Sequence, residues 1–242
     1  MVCINGWVSA IIPYMKPPEQ GVREPQAALD RIRIIENGDP LVDMRGIAGL
    51  VFRDEPDKQV IPFLRGRVVK MLAEAAEMLP KPYHLYVVSA LRDLEYQEGV
   101  WNRHAERYRK GHPEWPDHTV RRMANRYAAP VDHPAPPGHC TGAAVDVVLQ
   151  KPDGSFVDLV PPDIEDWSLS HTWSMKVDAE TRKARAVLLG TMLGVGFSNC
   201  RDEYWHYSWG DSGWAVRTGK QECYYGVVAV PQEADRGAWH KE

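Results

Sequence analysis

The sequence predicts an α+β fold, a single domain in which a central antiparallel sheet is flanked by helices. Three observations carry that reading. Residues 63–79 repeat apolar side chains at helical period (Leu64, Val68, Met71, Leu72, Ala75, Ala76, Leu79) as far as Pro80, which ends the run. Residues 84–90 and 143–149 are short β-branched and apolar runs of strand type. Helices and strands mix along the chain without the strict alternation that builds a parallel sheet.

Each element can be justified in order. Residues 1–40 read as an N-terminal arm packed on the domain. Its first 25 residues are rich in Pro and Gly, and residues 26–36 are mixed apolar and charged up to a helix-stop signal at Asn37-Gly38. Residues 41–52 read as strand and turn. After the helix of 63–79 and the strand of 84–90, residues 95–109 form a charged amphipathic helix broken by Gly111 to Pro116. Asp117 or Thr119 is placed to cap a second helix reaching Tyr127. Residues 130–137 hold four prolines and are loop. The strand of 143–149 closes on an Asp153-Gly154 turn, and residues 160–173 are irregular, acidic and aromatic. A helix over 178–193 presents Ala184, Val187, Leu188 and Thr191 on one face. Residues 204–209 and 223–230 are strand-like. The catalytic domain is expected to span 41–230, followed by a tail at 231–242.

Composition narrows the class of function. The 242 residues carry a net charge of −4, which disfavours a nucleic-acid partner, since such proteins present basic surface. The longest apolar run, near residues 186–197, is interrupted by Gly and Thr and is too short for a membrane span. Four cysteines (Cys3, Cys140, Cys200, Cys223) show no paired spacing. Without an export signal in this numbering, they read as reduced thiols of a cytoplasmic protein. Nine tryptophans suit a cleft lining as well as ordinary packing.

Chemistry concentrates in two stretches, Gly138-His139-Cys140-Thr141-Gly142-Ala143-Ala144-Val145-Asp146 and Glu203-Tyr204-Trp205-His206. Two imidazoles and a carboxylate, His139, Asp146 and His206, make a three-ligand zinc site with a fourth position left for water. Glu203 is then a spare carboxylate able to take a proton from that water. Alone, His-x6-Asp equally describes a loop histidine and a solvated strand aspartate; the two stretches together are far more specific. On a strand, Glu203 and His206 would face opposite ways, so Glu203 must sit at a bend just before the strand to share the site. Arg92 leaves the strand of 84–90 directly into a turn. It is either an oxyanion-stabilising guanidinium or a surface partner of Asp93 or Glu95.

HCTGAAVD and EYWH resemble the HxxGxAxD and ExWH signatures of the zinc D,D-peptidases, particularly the D-alanyl-D-alanine dipeptidases. The resemblance runs from about Leu41 to Gly226. It implies zinc, one ion per chain, held by His139, Asp146 and His206, with Glu203 as general base and Arg92 stabilising the transition state. Two positions depart from the family pattern: Pro137 replaces a Ser, and Asp93 replaces the Pro that usually follows the Arg. The resemblance also implies a small dipeptide substrate whose amine is held by acidic residues of a loop corresponding to 160–166, with Asp163, Glu165 and Asp166 as the candidates. The expected activity is hydrolysis of a D-amino-acid dipeptide such as D-Ala-D-Ala. A D,D- or L,D-carboxypeptidase acting on peptidoglycan peptides is the alternative enzyme. A zinc-holding, non-catalytic binding module is the alternative outside enzymes, though it would need neither Glu203 nor Arg92.

Overall fold

The computed structural model describes residues 23–53, 60–158 and 166–232. A short helix α1 (Gln26–Leu29) precedes strands β1 (Arg33–Ile34), β2 (Leu41–Asp43), β3 (Leu50–Phe52) and β4 (Phe63–Arg65). Then follow α2 (Gly66–Met78), β5 (His84–Ser89), α3 (Leu94–Gly111) and α4 (Asp117–Ala124). A 3₁₀ turn (Gly138–Thr141) leads into β6 (Ala144–Gln150), and a second (Trp167–Leu169) precedes α5 (Ala179–Gly194). The described chain ends with β7 (Ser198–Asn199), β8 (His206–Ser208), α6 (Ser212–Arg217) and β9 (Glu222–Cys223). Among the described residues, no helix is long and apolar enough to cross a membrane.

The central sheet has the order β3-β5-β6-β8-β7. It is antiparallel from β5 to β7, as expected, while β3 pairs parallel with β5. Parallel neighbours need a crossover, and α2 lies in the connection between those two strands. β6 is the central strand, buried from Ala144 to Leu149. One core joins the sheet to α2 through Val68, Met71, Leu72 and Ala75 and to α5 through Ala184, Leu188, Leu189 and Met192. The face expected for α5 is thus the packed one: Ala184, Leu188 and Thr191 are buried and Val187 is half-buried. A smaller core, built on Trp101, Ala105, Val120 and Ala124, joins α3 to α4.

Several elements differ from the sequence reading. Residues 63–65 are strand, because Phe63, Leu64 and Arg65 pair with β2, and the helix starts only at Gly66. Of residues 26–36, only α1 is helical; the remainder includes β1, which pairs parallel with β9. β9 is two residues long, not the strand of 223–230. Neither Asp117 nor Thr119 caps α4, whose N-cap position is Pro116. Carboxylates do cap α3, α5 and α6. Asp93 accepts from Tyr96 N at 2.6 Å at α3, and Asp178 accepts from Thr181 N at 2.9 Å at α5.

The turn before β6 is held from outside. Arg65 is 5% exposed; its Nε donates to Thr141 O at 2.8 Å, and its backbone N donates to Gly142 O at 2.9 Å. Gly142 sits at φ +71, and a Cβ there would stand 2.8 Å from Leu41 Cδ2. Both backbone angle and space therefore demand glycine. Gly142→Ala should destabilise the fold by about 1–3 kcal/mol, read as a lowered urea midpoint; an unchanged midpoint would show that the turn relaxes freely.

Candidate active site

Register puts the site together. Asp146 on β6 faces His206 on β8 and Ser89 on β5, so three adjacent strands meet at one carboxylate. The β5–β6 pairing is irregular between Val87 and Ser89, just before Arg92 leaves the sheet. His139 enters from the 3₁₀ turn preceding β6. Gly138 lets that turn lie close to α6, since a Cβ on it would meet Asp211 Oδ2 at 2.4 Å.

His139 Nε2 lies 3.3 Å from Asp146 Oδ2, and His206 Nδ1 lies 2.9 Å from Asp146 Oδ1. The two imidazole rings meet edge to face with centroids 5.0 Å apart. One ligand atom from each of His139, Asp146 and His206 falls within 4.8 Å of the others. His139 Nδ1 is 2.7 Å from Ala90 O, so it donates there and turns the Nε2 lone pair toward the cluster. Glu203 sits in the bend ahead of β8, where His206 N donates to Glu203 O at 3.1 Å. That bend returns the Glu203 carboxylate to the site, with Oε2 3.9 Å from His206 Nδ1.

Arg92 points inward rather than to Asp93 or Glu95. Its Nε donates to Ser89 Oγ at 2.9 Å, Nη1 to Gln97 Oε1 at 3.1 Å and Nη2 to Asp146 Oδ2 at 3.3 Å. The electrostatics follow from this crowding. Burial works to raise the Asp146 pKa, but the imidazoles of His139 and His206 outweigh it and hold the carboxyl well below the usual range. Burial, aided by Arg92, lowers His139. His206 rises against its burial because Asp146 accepts its hydrogen bond. Burial pushes Glu203 up to about 7, with His206 opposing and Asp146 reinforcing the shift. A buried carboxyl near neutrality can both take and return a proton.

The site opens into a cleft of about 2320 Å³ whose lining includes Arg92, His139, Asp146, Glu203 and His206. An aromatic wall borders it, with Tyr127 to Trp167 at 4.4 Å between centroids and Trp167 to Trp205 at 6.0 Å. Of the three expected amine partners, Asp163 and Glu165 lie outside the described residues. Asp166 is on the cleft, where its carboxylate accepts from Lys176 Nζ at 2.6 Å and from Ser168 N at 3.1 Å. The sequence reading passed over Ser89 and Gln97. Gln97 carried a usable signal, because it shares the apolar register of Trp101 and Ala105 on α3 and is buried with them.

The profile of the M15 peptidases, described as D-Ala-D-Ala dipeptidase, matches residues 69–224. A D-alanyl-D-alanine dipeptidase of Synechocystis sp. (strain ATCC 27184 / PCC 6803 / Kazusa) is 28% identical over 134 residues, which cover 48% of this chain. The match spans 54% of that relative's own length. A solved mutant of the vancomycin-resistance D,D-pentapeptidase VanY, from a VanB-type cassette and in complex with Zn(II), aligns at 13% identity. It has a TM-score of 0.43 and covers 79% of this chain and 96% of that one.

Cys140, next to His139, stands apart from the cluster. Its thiol is buried and faces Asp93 O at 3.8 Å, and burial pushes its pKa up to about 12. Facing Asp93 and not the cluster, the sulfur is not placed to be a ligand. Cys140→Ala should therefore keep its metal content unchanged by elemental analysis, and loss of metal would place the sulfur among the ligands.

Proposed function

The chain belongs to the M15 peptidase family, the D-Ala-D-Ala dipeptidases, and from that premise we propose that it hydrolyses a D-amino-acid dipeptide such as D-Ala-D-Ala with one zinc ion per chain. The observation that carries the reading is the convergence of His139, Asp146, His206, Glu203 and Arg92 at one end of the sheet. The donor set fits zinc: two imidazole nitrogens and one carboxylate oxygen, mostly buried, with one imidazole already oriented by a backbone carbonyl. Zinc held there would supply a Lewis acid that polarises the scissile carbonyl and lowers the pKa of the attacking water.

The chain's own side chains supply the remaining chemistry. Glu203 takes the proton of the attacking water and delivers it to the leaving amine. Arg92 presents a permanent positive charge, aimed by Ser89 and Gln97, to the negative charge developing on the carbonyl oxygen. Trp167 and Trp205 give the substrate an apolar wall. An acid of the 163–166 segment is the partner for the substrate amine. Asp166 would exchange its exposed Lys176 contact for that role at little cost.

The size of the cleft supports a second reading. Its lining runs well beyond the cluster, from Tyr96 and Arg103 on α3 to Ser212 on α6, which suits a carboxypeptidase acting on longer peptides. Release of free D-alanine from D-Ala-D-Ala, its N-acetyl derivative and a longer peptide ending in D-Ala-D-Ala separates the two. The dipeptidase expects the free dipeptide to be preferred; equal cleavage of the N-acetyl form would overturn it in favour of the carboxypeptidase. Glu203→Gln should keep its zinc yet lose at least about 10²–10⁴ in kcat, whereas His206→Ala should lose the zinc itself. A Glu203→Gln protein stripped of metal would make Glu203 a ligand instead of the base.

A further inference from the structure

Gln97 is 2% exposed, the side chain of a polar residue set into the buried face of α3. Burying an amide is costly unless both its ends are bonded. Here both are: Oε1 accepts from Arg92 Nη1 at 3.1 Å, and Nε2 donates to Ala129 O at 2.9 Å. Ala129 opens the proline-rich loop that runs to His139, and Arg92 N itself donates to His139 O at 3.1 Å. The amide thus bridges Arg92 to the segment that delivers a cluster histidine.

We propose that Gln97 is a positioning residue that fixes the plane of the Arg92 guanidinium for the peptidase reaction. The inference rests on the role given to Arg92 above. The guanidinium has three contacts, and they differ in kind. Asp146 is a carboxylate that a bound cation draws on, and Ser89 holds only Nε. Gln97 grips the outer end with a neutral acceptor, so it orients the group without cancelling the charge that the reaction uses. Without it, the guanidinium can turn about its remaining contacts. A displacement of an ångström at a reacting centre is enough to cost about 10²-fold in rate.

The test uses zinc-loaded protein and the variants Gln97→Met, which keeps side-chain volume and removes both hydrogen bonds, Gln97→Glu, Arg92→Ala and the Gln97→Met/Arg92→Ala double. In Gln97→Met, kcat should fall about 10–10²-fold with unchanged metal content, as for the loss of an outer partner of a catalytic group. KM should move far less. Gln97→Glu retains an acceptor for Arg92 and should fall between Gln97→Met and the parent. Arg92→Ala should lose about 10²–10³, and adding Gln97→Met to it should change kcat less than twofold. If the two losses multiply in the double variant, Gln97 acts independently of Arg92 and the proposal fails. The Arg92 Nε–H resonance, assigned by its absence in Arg92→Ala, tests the orientation without any substrate. It should shift and exchange faster in Gln97→Met and stay near its parent position in Gln97→Glu. An unchanged resonance in Gln97→Met overturns the proposal even if the dipeptide proves to be the wrong substrate, so the two failures are told apart.

Discussion

Burying one carboxylate is the constraint on which this architecture turns. Asp146 lies on the central strand, and an isolated charge there would cost several kcal/mol. The chain meets that cost from three directions, with His139 from the preceding turn, His206 from the neighbouring strand and Arg92 from the end of β5. Everything that fixes those three groups therefore also fixes Asp146. The β6–β8 register aligns His206, Arg65 secures the turn carrying His139, and Ser89 with Gln97 holds Arg92. Removing one member of such a buried set typically costs about 3–5 kcal/mol, because the others are left uncompensated. A divalent cation held there would draw on the same carboxylate and on the two imidazoles in their neutral form.

The cluster was legible because its residue types are rare in combination. A glycine-flanked His139 seven residues ahead of Asp146, and Glu203 three ahead of His206, specify both chemistry and local geometry. The requirement for a bend before β8 followed from strand alternation alone, and Glu203 sits in that bend. The core helix α2 was legible from its strong apolar periodicity, whereas that of α5 is weak and only the face of Ala184, Val187, Leu188 and Thr191 marked it. What the sequence hid is set by partners. β1 and β9 are two residues each and owe their extended form to one another. Phe63, Leu64 and Arg65 continue a helical apolar pattern, yet pairing with β2 overrides it. Gln97 went unnoticed because a single glutamine on a charged helix looks like a surface residue until its register with Trp101 is considered.

Two departures from the family pattern also gain a physical account. Asp93, where a proline is usual, supplies the N-cap of α3, so the turn after Arg92 is fixed by a side-chain hydrogen bond in place of a rigid ring. Pro137 stands directly before the 3₁₀ turn and accepts from Cys140 N at 2.9 Å through its carbonyl, a role that needs no side-chain hydroxyl.

The family match begins at residue 69, yet Glu24 lies far upstream and forms a 2.7 Å ion pair with the buried guanidinium of Arg217. Arg217 in turn bonds Ser198 Oγ and Ser208 Oγ, on the two strands at the edge of the sheet beside the His139, Asp146 and His206 cluster. Glu24 and Gln26 border the same cleft as Glu203. Homology boundaries are therefore a poor guide to where this protein can be cut. A version trimmed to the matched region would expose a cation built to be covered, one bonded to Ser208 on the strand that carries His206. The segment that carries Glu24 is thereby part of the pocket's scaffolding, and losing its carboxylate would leave a buried guanidinium uncovered.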